Sequence, residues 1–489
     1  MERTVPKSAR RLIPLLCLLL VWATGGCRSS PLDAGAPPAR RVFLPYITST
    51  PASTPGPRLT WSARYGGPGS EEMEGLLATQ DGDLVVVGST DSFQDEEGDG
   101  WIVALQEDGQ VRWQRTYGGQ GDDGLLDIRQ TPDGGFVAVG WTRSFGAEQA
   151  DVWILRLDGE GQVLWSKVYG GPGMEQAWSV ALSGDGGFLV AGGTTSFGAG
   201  GSDFWVLRLD PQGEPVWQRT YGGPQDEGGG GTYGEFVVRA LVDREGNYVL
   251  ASETASFGAG ETDIWVIQLR PDGSIRWQKA YGGPEEETTW SLVELAGGGY
   301  LVPGVTVSFA PDASGDLWAL RLESNGAVRW QRLYGLPTLW DEALSAGATR
   351  DGGVVIGGYL EESTDWDGTL LRLDGDGQLW ARRRYEHGWN WPNGVVELAD
   401  GSLAVAGVAW DRAGGQELDL WVMRLAPDGD LGTSCGLAQE LQIQVADTAA
   451  RPQDTQATVG RTAVRPREAQ VTVRDTQIAP RYLCAPTRR

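Results

Sequence analysis

Seven times this chain closes on the same phrase: a Gly-bearing turn, a Trp about four residues later, then a Tyr that usually leads into Gly-Gly. The Trps are Trp61, Trp113, Trp165, Trp217, Trp277, Trp330 and Trp380, and the steps between them are 52, 52, 52, 60, 53 and 50 residues. A further step of 51 lands on Leu431, where the phrase stops. A fixed period of this length in a chain with 73 Gly marks an array in which each repeat is one small sheet, a β-propeller above all.

Residues 175–221 show how one repeat is written. Apolar Trp178, Val180 and Leu182 alternate with smaller or polar neighbours, a Gly-Asp-Gly-Gly turn follows, and residues 188–191 form a near-continuous apolar run. A Gly/Ser loop leads to Asp203 and Trp205, and a second tight turn at 210–213 opens onto Trp217 and Tyr221. That spells four strands with Asp-Gly-type hairpins at two of the three connections. Seven such repeats predict an all-β, seven-bladed propeller of four-stranded blades over residues 58–431. Three strands of the last blade lie between Pro392 and Asp428, and no Trp strand follows them. The missing strand is expected at 58–65, so that the N-terminal strand completes the last blade and removes two open edges.

The order Asp-x-Trp, turn Gly, then Trp four residues on, as in residues 157–165 and five counterparts, resembles the tryptophan-docking pattern of pyrroloquinoline-quinone-type propellers. Trp380 departs from it, standing three residues past Gly377. The resemblance implies that these Trps dock each blade on its neighbour; it implies architecture and no cofactor.

The ends carry separate information. Lys7, Arg10 and Arg11 precede an apolar run over residues 12–23 that is too short to span a membrane comfortably and reads as an export signal. The run leads into Ala23-Thr24-Gly25-Gly26-Cys27, which resembles a bacterial lipobox with Thr24 where Leu is usual. Residues 1–27 are therefore expected to be a signal peptide with lipid on Cys27, and 28–57 a Pro/Ser/Ala-rich tether. With Cys17 lost and Cys27 lipidated, Cys435 and Cys484 remain, and an oxidising compartment would join them across the tail, 432–489. That tail shows Thr448, Thr455, Thr462 and Thr476, with Ala469 in the remaining slot: a period of seven. It has no apolar seam and suits extended structure, packed on the propeller or on itself.

Net charge is −25, while residues 1–41 carry seven basic against two acidic side chains and the tail from Gly436 eight against five. The repeat body is therefore near −33, a surface that repels phosphate backbones, so nucleic acid is excluded as a partner. Two acid positions recur. One precedes the third strand's Trp: Asp99, Asp151, Asp203, Asp263, Asp316, Asp367 and Asp419. The other follows the Tyr-Gly corner: Glu71, Asp123, Glu175, Glu227, Glu287 and Asp341, with Asn390 in the last repeat. Strand order puts both sets on one face of the disc. Such acids can supply oxygen ligands to Ca²⁺, or satisfy backbone N–H groups of their own loops. One acid in every repeat favours the second reading, and no cofactor is expected.

The parts of an enzyme are missing. The single His, His387, excludes a Ser-His-Asp triad away from it and any multi-His metal centre. What breaks the repeat is a Gly-rich extension at 228–233 and a group of aromatics in the last two blades: Trp340, Trp366, Trp389, Trp391 and Trp410, with His387 beside them. These are either a sugar-stacking platform or a plug for shortened loops, and the plug is favoured. The chain is similar to bacterial repeat lipoproteins. The reading is an extracytoplasmic, non-enzymatic binding or scaffolding module, lipid-anchored to the membrane or else secreted, with a protein or glycan partner at the cell surface. The alternative is a carbohydrate-active enzyme using paired carboxylates on the acid-rich face.

Overall fold

The computed structural model describes residues 59–488, apart from 94–97, 147–148, 229–235, 312–313, 336–339, 363–364, 386–388, 411–416, 433–434, 436 and 442. The export signal, Cys27, the tether, His387, the Trp389 side chain and most of the Gly-rich extension lie outside the described residues. Every regular element described is a β-strand. Seven antiparallel sheets form the ring of a β-propeller.

Blade 1 runs outward from the axis through Glu71–Ala78, Leu84–Thr90, Asp99–Leu105 and Val111–Gly118. Blades 2 to 6 repeat it, beginning at Asp123, Glu175, Arg239, Glu287 and Asp341. Blade 7 consists of Trp389–Glu397, Leu403–Trp410 and Leu418–Leu425, and Leu59–Tyr65 pairs antiparallel with the last of these. The closure expected from the sequence is the one found.

Middle strands such as Phe188–Thr194 and Asp203–Leu209 are buried along their whole length. They are covered on both faces, which explains their continuous apolar reading. The core consequently lies between blades rather than at a centre. Val85, Val87 and Ile102 of blade 1, for example, pack with Ile128, Ala138 and Trp153 of blade 2. The repeating Tyr ties each such wedge at its outer end. The hydroxyls of Tyr65, Tyr117 and Tyr385 donate to the turn carbonyls of Gly109, Gly161 and Gly429 in the following blade, at 2.7, 2.7 and 2.8 Å. The phrase's Trp works alongside it: the indoles of Trp61, Trp217, Trp277 and Trp330 donate to turn carbonyls of the next blade at 2.9–3.2 Å. Gly161 has φ +76°, and a Cβ there would stand 2.8 Å from the Trp113 ring. The turn Gly is thus the seat for the preceding blade's Trp. Trp380 is the exception; it is 41% exposed and lies under the Arg372 guanidinium, 4.5 Å from its ring centre.

The four-stranded expectation needs correction, because every blade has one further strand at its outer edge and the tail supplies it. After blade 7 the chain turns back around the ring. Ala438–Glu440 pairs with blade 6, Gln444–Asp447 with blade 5 and Gln453–Asp454 with blade 4. Thr458–Arg461, Arg467–Glu468 and Thr472–Asp475 then take blades 3, 2 and 1, and Arg481–Arg488 returns to blade 7. The tail is a belt around the whole propeller, and its period of seven is one blade per step. Cys435 and Cys484 are 49 residues apart and form a disulfide with Cα atoms 5.6 Å apart. Seven residues for each of seven blades bring the second Cys back to the first, so the disulfide buckles the belt.

Candidate functional site: the corner face and the channel mouth

Each fourth strand starts at a tight turn and ends at a Tyr-Gly corner, so the two kinds of connection lie on opposite faces of the disc. The recurrent acids gather on the corner face, as expected. Asp99, Asp151, Asp203, Asp263, Asp316 and Asp367 are buried, and Asp419 is partly so. Asp203 Oδ2 accepts the N–H groups of Ala199 and Gly200 at 2.8 and 3.1 Å. Asp263 Oδ2 accepts those of Ala259 and Gly260 at 2.9 and 3.0 Å. The belt covers others: Arg467 pairs with Asp151 at 2.6 Å and Arg481 with Asp419. Asp367 faces Arg384 at 3.6 Å.

The corner acids close the loop from the other side. Glu175 accepts the Gly171 N–H and the Thr194 hydroxyl, both at 2.7 Å, and the Ser196 N–H at 3.2 Å. Glu287 repeats the set with Gly283, Thr306 and Ser308. These acids hold the Ser-Phe loops in place, which is why that loop recurs. Among the described residues no group of three or more His, Cys, Asp or Glu is arranged to hold a metal ion.

The aromatics of the last blades come together. Trp366 stacks on Tyr359 with centroids 5.2 Å apart and planes 10° from parallel, and Trp391 meets Trp366 edge-on at 5.7 Å. Trp340 and Trp410 pack, partly buried, against the same cluster. Trp366 and Trp391 are buried, so neither offers an open ring face.

The axis holds residues that reading the repeats did not single out. Inner strands carry a register shift, as between Met73 and Gly75, Leu125 and Asp127, and Ala177 and Ser179. Such a bulge re-aims a side chain, and Leu126 and Trp178 meet Phe236 and Val237 of blade 4 and Trp290 of blade 5 in one cluster. Residues from four blades can touch only near the axis. Inner strands are also stitched to each other. Asp127 Oδ2 accepts the Val180 N–H at 2.9 Å, and Arg239 donates to the Trp290 carbonyl at 2.8 Å and the Trp178 carbonyl at 3.2 Å. Burial lowers the pKa of Arg239, and Asp127 and Glu74 partly offset that.

On the corner side of this plug, Glu342 takes a 2.6 Å hydrogen bond from the Tyr359 hydroxyl. Burial raises its pKa to about 7 against the pull of Tyr359, Trp340 and Trp290. Glu253 is raised to about 7 by burial and by the charges of Glu286 and Glu342, so acids of blades 4, 5 and 6 sense one another around the mouth. The signal that would have found them is departure from the repeat. The residue after each corner acid is Glu72, Gly124, Gln176, Thr288, Glu342 or Trp391, and its cross-strand partner is Ser89, Trp141, Gly193, Val305, Tyr359 or Val408. Glu253 holds the partner's place in blade 4. Gly228 follows the corner acid of blade 4, so seven blades use five residue types after the corner position, in a chain that otherwise repeats itself.

No protein-family model matches this sequence, and no curated protein matches it either. Among solved structures it is similar to virginiamycin B lyase from Staphylococcus aureus: 10% identity, TM-score 0.46, 75% of this chain and 100% of that one. The Pan2 WD40 domain of Neurospora crassa gives 13% identity and TM-score 0.43 over 73% of this chain and 89% of that one. Sqt1 from Chaetomium thermophilum gives 12% identity and TM-score 0.42 over 73% and 96%. These are likenesses of fold alone.

Proposed function

We propose that this chain is an exported, lipid-anchored propeller acting as a non-enzymatic binding or scaffolding module at the cell surface, with the channel mouth of the corner face as its partner surface. One observation carries the reading: the inner-strand positions that surround the mouth change from blade to blade. A repeat kept uniform for folding and varied at one ring of positions is varied there for recognition. The direction of the first strand supports it. Leu59 enters on the tight-turn side and Tyr65 ends at a corner. A tether joined before Leu59 would therefore start from the tight-turn side, opposite the mouth. Lipid on Cys27, the pyrroloquinoline-quinone-type ancestry of the blades and a protein or glycan partner belong to the same reading.

The test is photo-crosslinking on intact cells, with the crosslinker at Glu72 or Gln176 on the mouth and, for comparison, at Asp133 on a tight turn. Adducts confined to the mouth positions are expected, with a glycan array on the soluble ectodomain covering sugar partners. Equal labelling from Asp133 would defeat the assignment of the face. The alternative, a carbohydrate-active enzyme, draws on Glu253 and Glu342, whose carboxyls burial raises to about 7. Glycan turnover abolished by Glu253→Gln or Glu342→Gln would favour it.

A further inference from the structure

The first Gly of each Tyr-Gly corner is hemmed in by two carboxyl groups belonging to different blades. At Gly335 a Cβ would stand 2.6 Å from both Asp316 Oδ1 and Asp341 Oδ2. At Gly222 it would overlap Asp203 Oδ1 and come within 2.6 Å of Glu227 Oε2. The same convergence recurs at Gly66 (Asp419 with Glu71), Gly118 (Asp99 with Asp123), Gly170 (Asp151 with Glu175) and Gly282 (Asp263 with Glu287). In each case the two oxygens converge on the space that the glycine's missing side chain would fill.

In three of these pairs hydrogen bonding leaves one oxygen over. Asp203 and Asp263 spend Oδ2 on loop N–H groups, while their Oδ1 atoms are buried and without a hydrogen-bond partner. Asp99 Oδ1 is in the same position. Each of these three residues is 1% exposed. Opposite them stand oxygens that already accept one N–H: Gly223 to Glu227 Oε2 at 2.9 Å, Gly283 to Glu287 Oε2 at 2.7 Å, and Gly119 to Asp123 Oδ2 at 2.8 Å. An acceptor facing an acceptor at close range in a dry site is unfavourable unless a donor lies between them.

We propose that the blade junctions hold a shared proton between these carboxyl pairs, which makes the contact between blades a proton-operated latch: closed in acid, released in alkali. In the closed form the Asp hydroxyl donates from Oδ1 to the neighbouring blade's carboxylate; on release the proton passes to solvent and two like charges are left face to face. The seventh junction points the same way. There Asn390 stands where the other blades have the corner acid, so a neutral amide replaces one carboxyl of the pair.

The surroundings of the two clearest pairs are few. Asp226 faces Asp203, and Glu286, itself coupled to Glu261 of the loop before Asp263, stands beside Glu287. Among the described residues the next blade contributes the hydroxyls of Thr254 and Ser256, or of Thr306 and Ser308. The belt places Gly460 and Gln453 against these blades, where Arg467, Arg474 and Arg481 serve blades 2, 1 and 7. Burial and the facing acid raise Glu71, Asp99 and Glu227 to about 7. A carboxyl whose pKa is raised on folding stabilises the fold fully below its unfolded pKa, and the contribution is lost as pH rises through the folded value. The latch should therefore open between about pH 5 and pH 8.

The experiment is thermal unfolding of the oxidised full chain from pH 5 to pH 9, in a His387→Gln background because the one His titrates in the same window. The expected result is a melting temperature highest near pH 5 and lower by roughly 10 °C at pH 9. Asp203→Asn and Asp263→Asn keep the loop hydrogen bonds and supply a permanent donor at Oδ1. Each should leave the pH 5 value unchanged and raise the pH 9 value by a few degrees, flattening the profile. Infrared spectra should show a protonated-carboxyl band at pH 6 that is gone by pH 9; Glu253 and Glu342 contribute to it in every variant, so the latch is the part lost in Asp203→Asn and Asp263→Asn. The proposal fails if that band is absent at pH 6, or if the Asn variants lose stability equally at every pH. It also fails if Ca²⁺ restores the pH 9 melting temperature, since that would put a cation where the proton belongs.

Discussion

The propeller body and its belt solve the same problem, closing a ring, by opposite chemistry. In the body, strands such as Asp151–Leu157 and Asp263–Leu269 are buried end to end, and Leu59–Tyr65 shuts the circle by pairing with blade 7. In the belt, Gln453–Asp454 and Arg467–Glu468 are exposed, and the circle is shut by a covalent bond between Cys435 and Cys484. The body is held by apolar area, the belt by register. Its Thr448, Thr455 and Thr462 accept the buried indole N–H groups of Trp318, Trp265 and Trp205 at 3.0, 3.0 and 3.1 Å. Two residues further on, Gln218 grips Val464 through both its amide atoms, and Gln331 does the same with Ala450. The belt therefore recognises a finished ring; it does not build one.

The difference orders what disruption should do. Removing residues 59–65 opens two edges inside the hydrophobic closure and should abolish the cooperative transition, leaving aggregate. A deletion variant melting at the parental temperature would show that the belt alone can hold the ring shut, and would erase the distinction. Truncation after Leu431 should leave a folded seven-bladed body, visible by its unchanged far-ultraviolet spectrum. Its melting temperature should fall by roughly 10 °C, and seven unpaired outer strands should make it self-associate. Loss of the β signal in that truncation would mean the belt is part of the body after all.

A smaller effect is expected at the buckle. On the chain-entropy account a disulfide across 49 residues contributes about 4 kcal/mol. Cys435→Ser should lower stability by that amount or less and make the outer strands exchange amide hydrogens faster, while middle strands such as Val152 to Leu155 stay protected. Uniform loss of protection would tie the buckle to global unfolding.

The sequence told these regions apart unevenly, for a physical reason. Seven blades, the closing strand and the face carrying the acids were all legible. Trp, Gly and apolar runs at a fixed period have few alternative explanations, and Asp99 or Glu175 could be placed on a face by strand order alone. The belt's period of seven was equally visible at Thr448 to Thr476, yet it has no hydrophobic alternation, and its meaning depends on the number of blades it must visit. The mouth was harder still: Glu253, Arg239 and Glu342 look like noise in a repeat until the ring brings blades 4, 5 and 6 to one axis. Pairing of carboxyls across blades was not legible, because each partner belongs to a different repeat.

The smallest prediction tests the register itself, at blade 2, where the belt's period has no Thr. In blade 2 the slot holds Ala469, and the Trp153 indole instead donates to Ser166 Oγ at 2.9 Å, where blades 1, 3, 4 and 5 have Gln. The two departures compensate: lacking a Thr hydroxyl from outside, the indole takes one from its own sheet. Ser166→Ala should strand a buried N–H and cost about 1–2 kcal/mol. Ala469→Thr alone should be nearly neutral, since its hydroxyl finds the indole already engaged. Combined, Ser166→Ala with Ala469→Thr should recover most of the loss, because the new hydroxyl then meets the free indole as it does in blades 3, 4 and 5. A double-mutant cycle in urea measures this directly. Strict additivity would mean that the belt does not sit over blade 2 in the register of its neighbours, and the one-blade-per-seven-residues reading would fail there.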